Sequence, residues 1–327
     1  MAIGNWLAIF MLLVATTTLQ MRLVHGGYHV DVEDISKTIT SKNGMVIDCV
    51  YLHKQPTLKH PMFKDHKIQV YKRNRMGSIG YGSSMEQEWH RSGNCPAGTI
   101  PIRRFPKNAI EPNITIIQPF PPSNDIVVTD KSNSPRDEFA VAVGLNWPYH
   151  GASALLPSYR PTKIEPHESS TTCIAIAATI DRTWPPNHKP GEFPPDTTNQ
   201  IVVGLMMQND GGKRHRCFNL HCHGFVQTSN KIALGTSFIH GGSSITYNGV
   251  PYVAMSIHKA PGQQQWWVSV NDTVIGYFPH TLFPTFFPES YVNQLGGVVH
   301  NSRPKGMHTV YSHGQWPHAK KRQLGHS

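Results

Sequence analysis

Apolar residues in this chain fall in short β-prone runs, and after residue 137 the i, i+3, i+4 recurrence of an amphipathic helix is almost absent. The pattern predicts strands over residues 45–52, 67–71 and 99–103 in the first third of the chain. It continues over 139–143, 153–156, 173–180, 200–207, 224–228, 233–238, 252–258, 266–270, 273–278 and 297–300. Gly, Pro, Asn and Ser clusters separate these runs, so the predicted fold class is all-β, an antiparallel sandwich preceded by a small β-rich unit. One short helix is expected: Ser84-Met85-Glu86-Gln87 reads as a weak capping box that opens a turn through Trp89.

Between the early and late strands the pattern breaks. Residues 105–137 carry Pro106, Pro119, Pro121 and Pro122 and then a polar run from Thr129 to Arg136, the composition of a linker. The chain thus divides into 1–26, 27–104, the linker 105–137, and 138–327. Residues 1–26 read as a secretory signal peptide, with an apolar run from Trp6 to Thr18 too short to span a bilayer and small residues at Gly26 and Gly27 near the expected cleavage point. No later segment reaches the length of a membrane helix, which predicts a secreted, extracellular protein with no membrane span.

Charge and cysteine content sharpen this picture. Thirty basic residues against 20 acidic ones give a formal charge of +10, which favours polyanionic contacts, and for an exported protein an acidic cell-wall polysaccharide is the candidate partner. No dense basic run or nucleic-acid motif points to DNA or RNA. Among five cysteines, Cys49, Cys95, Cys217 and Cys222 sort into two bridges, and Cys173, which opens an apolar strand, reads as a buried inert thiol. Asn113 and Asn271 begin N-glycosylation triplets, and Asn271-Asp272 between two strands is expected to form an exposed hairpin turn. His215, His221, Cys222 and His223 fit no standard zinc spacing, so no metal or cofactor is expected. Trp266 and Trp267 are consecutive on a strand and must point to opposite faces, which makes them candidate ligand contacts that stack on a sugar ring or a peptide.

Arg216-Cys217-Phe218-Asn219-Leu220-His221-Cys222-His223-Gly224-Phe225-Val226-Gln227-Thr228 is followed by Lys231 to Gly235, by Trp266-Trp267 and by Val274 to Pro279. In this order these segments resemble the neprosin family, plant secreted proteins whose characterised members are glutamic endopeptidases favouring proline-containing substrates. Cys95 to Arg104, with Asp48 to Pro56 and His66 to Gln69, is similar to that family's amino-terminal activation region. The resemblance implies two packed antiparallel sheets with a cleft across one of them, and cleavage between the pro-region and the second domain. Pairing Cys49 with Cys95 and Cys217 with Cys222 keeps each bridge inside one unit.

The resemblance also places the family's two catalytic glutamates at Val202 and Val298. Carboxylate-pair hydrolysis needs one ionised group to activate water and one protonated group to serve the leaving nitrogen, and valine supplies neither. The expectation is therefore a pseudoenzyme, with Val202 and Val298 facing each other across one sheet. The tryptophan after Gly204 is replaced by Leu205, the segment from Leu205 to Arg216 is shorter than in the family, and the end of the chain departs from the family pattern. Two other readings stand beside it. One is an active peptidase using displaced acids from among those after the linker, which include Asp137, Glu168 and Glu289; the other is a module that binds proline-rich peptide or wall polysaccharide.

Overall fold

The computed structural model describes residues 30–72, 85–104, 136–158, 168–179, 198–208, 219–221, 224–239, 246–247, 250–283 and 286–301. Residues 1–26, the Cys217–Cys222 pair, Asn113, and His215 and His223 lie outside the described residues. The strands are β1 (Ile35–Thr40), β2 (Val46–Tyr51), β3 (Thr99–Arg103), β4 (Arg136–Tyr149), β5 (Gly151–Pro157), β6 (Ser169–Thr179) and β7 (Thr198–Gln208). They continue with β8 (Val226–Gln227), β9 (Thr246–Tyr247), β10 (Val250–Lys259), β11 (Trp266–Val270), β12 (Thr273–Phe278) and β13 (Ser290–Asn301).

They form three antiparallel sheets. One is β1-β2-β3, the second is β5-β10-β11-β12-β8 with β9 on β10, and the third is β4-β13-β6-β7. The second and third sheets face each other, with β10 packed over β6 and β7. Period-two alternation decides what lies between them: Ile174, Ile176 and Ile201 come from the four-stranded sheet, and Val253, Met255, Ile257, Trp266, Val268 and Val270 from the six-stranded one. All are buried, and at about 1.5–3 kcal/mol for each large side chain this layer is the main source of stability.

The amino-terminal sheet is not a separate body. Val50 and Ile100 join the main core, and Ala233 of the later chain completes the small cluster of Ile39, Ile47, Trp89 and the Cys49–Cys95 disulfide. That bridge forms as expected, with Cα atoms 5.4 Å apart across a separation of 46 residues. Asp48, buried in β2, accepts from Thr38 Oγ1 at 2.8 Å and from Arg104 Nε at 2.7 Å, so its carboxylate is not left without partners.

Several elements differ from the sequence pattern for identifiable reasons. Residues 67–71 form no strand; they lie extended on the six-stranded sheet and bond to side chains, with Gln69 N–H donating to Tyr277 Oη at 2.9 Å and Gln263 Nε2 to Val70 O at 3.0 Å. Residues 233–238 make only isolated bridges, Ile102 to Leu234 and Gln87 to Phe238, because Gly235 takes φ +78° and the Ala233 backbone is engaged by Gln87. The expected helix is a 3-10 turn, Glu88–Ser92, with Gln87 as its cap. Strand β1 has no counterpart in the prediction, since Ile39 is its only buried residue.

Asn271 and Asp272 form the expected turn, with φ +42° and +60°. The exposure expected for Asn271 is not found. Its side chain is 5% exposed, Oδ1 accepts from Ala254 N at 2.8 Å, and Nδ2, the atom that would carry a glycan, is shut away in the fold.

Candidate functional site

Strands β7, β6 and β13 lie side by side, and their registers define a small grid on the face of the four-stranded sheet turned away from the core. Val202 pairs with Ala175 and Ala175 with Gln294; Gly204 pairs with Cys173 and Cys173 with Gly296; Met206 pairs with Thr171 and Thr171 with Val298. Cys173 is at the centre, flanked by two glycines. Gly204 is required there, because a Cβ would be driven into the Thr172 carbonyl and the Cys173 backbone of the adjacent strand. The result is a line of small groups at the centre of the grid, and it is covered: Cys173 is 4% exposed and Ala175 is fully buried.

Val202 and Val298 occupy opposite corners of this grid, on strands separated by β6, and do not stand directly opposite each other as expected. Four residues of offset and two inter-strand steps amount to roughly 13 Å along the strands and about 10 Å across them. The diagonal between them passes over Cys173. Val202 is 41% exposed, an unusual setting for a β-branched apolar side chain. Cys173 is a free thiol, buried, and burial pushes its pKa up to about 11, so at neutral pH it is a small apolar group with no nucleophilic character.

The described side chains of the floor, Val202, Ala175, Cys173, Thr171 and Gln294, include no carboxylate. Its polar members are unusual. Gln294 Oε1 and Thr171 Oγ1 on the grid, and Gln200 Nε2 one row beyond it, are buried and have no hydrogen-bond partner. Gln294 is 2% exposed and Thr171 is 6% exposed. These residues escaped the sequence reading; the available signal was a polar residue inside an otherwise apolar strand.

The outer face of the other sheet is built differently. Trp266 points into the core and donates Nε1–H to Phe287 O at 2.8 Å, while Trp267 points the other way, as alternation requires. Both are fully buried. Trp267 packs against Tyr277 with the rings tilted by 52° and is covered edge-on by Tyr71, which comes from the amino-terminal region. That region is held by two histidine–tyrosine contacts, His66 Nε2 to Tyr277 Oη at 2.8 Å and Tyr71 Oη to His258 Nε2 at 2.9 Å. Two buried glutamines add to the hold. Gln55 accepts from Gln227 N at 3.0 Å and donates to Gln227 O at 3.1 Å; Gln87 accepts from Ala233 N at 2.7 Å and donates to Ala233 O at 3.0 Å.

A β-sandwich with a floor of small residues on one outer sheet face, and a disulfide-stapled amino-terminal region clamped to the other, defines the class: a two-sheet protein carrying its pro-region in place. The chain matches the family model Neprosin over residues 195–326 and the model Neprosin activation peptide over residues 38–142. It belongs to the neprosin family, and is prolyl-endopeptidase-like in its kinship. The activation-peptide match ends inside β4, so that strand of the floor's sheet continues from it directly. The family implies peptide substrates, and no helix among the described residues is long and apolar enough to cross a membrane.

Proposed function

We propose that this chain is a secreted neprosin-family protein that binds proline-containing peptides on the outer face of the four-stranded sheet without hydrolysing them. The observation that carries the reading is the pair Val202 and Val298, at the positions where the resemblance puts the family's glutamates, on a floor of Val, Ala, Cys, Gly, Thr and Gln. A general base and a general acid must both be present for carboxylate-pair hydrolysis, and hydrocarbon at both corners removes both roles at once. The peptide-binding geometry needs neither group.

One observation favours a second reading. Asp137 on β4 is registered against His300, and Glu168, 3% exposed, precedes the Ser169 that is registered against the same residue. Asp137 is in register with the row beyond Val298, whereas alternation sets Glu168 opposite in phase to Ser169, so a displaced-acid peptidase would use one of them with a partner from elsewhere. The test is direct: purified protein is incubated with a proline-rich peptide at acidic pH and the products are weighed by mass spectrometry. Intact peptide is expected. Cleavage that disappears in Asp137→Asn or Glu168→Gln would replace the first reading with the second. A glycan pull-down with its salt dependence checks the polysaccharide alternative, since binding driven by the +10 charge would fall steeply with ionic strength.

A further inference from the structure

At one end of the sandwich the turn after β4, the end of β10, the start of β11 and the segment between β12 and β13 meet around Lys259. Its backbone N–H donates to His150 O at 2.8 Å, and in the ladder it stands opposite Trp266. The ammonium lies over the Trp266 ring, 4.9 Å from the centroid, and among the described residues it has no hydrogen bond and no ion pair. Three N–H donors with no acceptor among those residues are an unusual state for a partly buried ammonium. Burial lowers its pKa to about 8, with Glu289 opposing the shift, so the charge is present at neutral pH and below.

Beside it the chain takes an uncommon path. Phe286 and Phe287 both have left-handed backbones, with φ +60° and +40°, which bulky residues rarely adopt. The path sends the two rings to different places: Phe287 is fully buried against Trp266 and Phe283, whereas Phe286 is 57% exposed and packs on the His280 ring at 5.6 Å. Burial, and then the nearby Lys259 ammonium, lower the His280 pKa, which puts Phe286, His280 and Lys259 in one neighbourhood. Glu289 completes the group. Its side chain is 33% exposed, and its contacts are long, 3.4 Å to Tyr291 Oη and 3.9 Å to His150 Nε2.

An unpartnered cation, an exposed aromatic face and a carboxylate with spare lone pairs select a ligand with three matching parts: an anionic group, an apolar face and hydroxyls. A hexuronic acid carries all three on one ring. Its carboxylate suits the Lys259 ammonium and its C–H face suits Phe286, while its hydroxyls donate to Glu289, a group that repels an anion lacking them. An acidic peptide supplies carboxylates without the ring hydroxyls beside them. We propose that this rim, outside the grid around Cys173, binds a hexuronic acid residue of an acidic polysaccharide, with Lys259 on the carboxylate, Phe286 under the ring and Glu289 on a hydroxyl. The net charge of +10 then serves encounter with the polyanion, and the rim reads the individual residue. The site goes beyond the peptide-binding reading and does not depend on it.

The experiment uses the full-length protein and a short fluorescein-labelled oligogalacturonate, read by anisotropy at about 0.15 M salt, where exposed charges more than about 8 Å apart are largely screened. Lys259→Met keeps an apolar stem on Trp266 and removes the charge; it should weaken binding roughly tenfold, the loss of about one hydrogen bond between charged groups. Phe286→Asn places a residue that tolerates the left-handed backbone and should weaken binding several-fold. Both should melt close to the wild-type temperature. Lys42→Met removes an exposed charge from the turn between β1 and β2 and should leave binding unchanged. An equal loss in that variant overturns the inference and reduces the attraction to net charge. Fully methyl-esterified oligogalacturonate should not compete, whereas polyglutamate that competes equally well at equal charge overturns the assignment to a sugar residue. Absence of oligogalacturonate binding, or wild-type affinity in Lys259→Met and Phe286→Asn, overturns the site. Should Lys259→Met fail to fold, Lys259→Gln and Phe286→Asn carry the same expectation. Binding of the proline-rich peptide is measured on the same variants and should be unchanged, so the two readings fail separately.

Discussion

At the scale of single residues, the contacts that hold the amino-terminal region are sensitive to protonation. The Tyr277 hydroxyl accepts the Gln69 N–H and shares a hydrogen-bond proton with His66 Nε2 at 2.8 Å, a ring that burial holds toward its neutral form. Burial pushes the Tyr277 pKa up to about 12, which keeps that proton in place. His258 is in a similar position, with Tyr71 Oη on Nε2 and Ser256 Oγ at 3.3 Å from Nδ1. Burial lowers the pKa of both histidines, and for His66 the neighbouring His280 lowers it further; Lys259, itself pushed down to about 8 by burial, acts on His280 in the same sense. The sign follows from linkage: a histidine whose pKa is depressed in the docked state costs nothing above its ordinary pKa near 6.5, and weakens docking as pH falls below that value. Amide protection over residues 56–72, taken relative to the intrinsic exchange rate at each pH, should therefore fall between pH 7 and pH 5. His66→Gln should flatten part of that dependence, and a protection indifferent to pH in the wild type would show that these rings are not titrating.

At the scale of elements, the disulfide and the two glutamine clamps divide the work of holding β1-β2-β3. Closing a loop of 46 residues removes enough freedom from the unfolded chain to be worth about 4 kcal/mol, so Cys49→Ala with Cys95→Ala should shift the denaturation midpoint by that order. Gln55→Leu leaves the buried Gln227 N–H and C=O without partners and should cost about 1–3 kcal/mol. Limited proteolysis of residues 56–72 would reveal it as faster nicking, without loss of the sandwich melting transition. Strand β10, which buries one face, was legible from alternation, whereas β6 and β11 are buried on both faces and were legible as short apolar β-prone runs. Strand β1 was not, since its burial is confined to Ile39, and residues 67–71 alternated without joining a ladder because side chains of another sheet took their backbone groups.

At the scale of the whole molecule, the amino-terminal region covers the outer face of one sheet, and the candidate floor occupies the outer face of the other. On the proposed reading, the chain lacks the acid pair needed to cut its own linker. Expressed alone and acidified, the protein should keep its full mass, as read by mass spectrometry over hours. An autolytic fragment beginning between residues 105 and 137, formed at a rate independent of protein concentration and insensitive to inhibitors of contaminating proteases, would establish peptidase activity. Val298→Glu alone should stay at background in a peptide assay, since a single carboxylate lacks its partner and the offset of the two corners leaves Val202 as hydrocarbon.

By itself the sequence determined the all-β class, the order of most strands, the Cys49–Cys95 bridge, the kinship and the two hydrocarbon side chains where acids were expected, because each of these is written in local pattern or in residue identity. Only the tertiary structure decided which strands are neighbours. The interposition of β6 places Val202 and Val298 at opposite corners and gathers Gln294, Thr171 and Gln200 around Cys173. It also turned Asn271 inward and set His66 and Tyr71 against Tyr277 and His258 across more than 180 residues of chain. Strand order and register arise from long-range pairing, in which partners far apart in sequence are chosen by the burial of whole faces, and no local pattern carries that information.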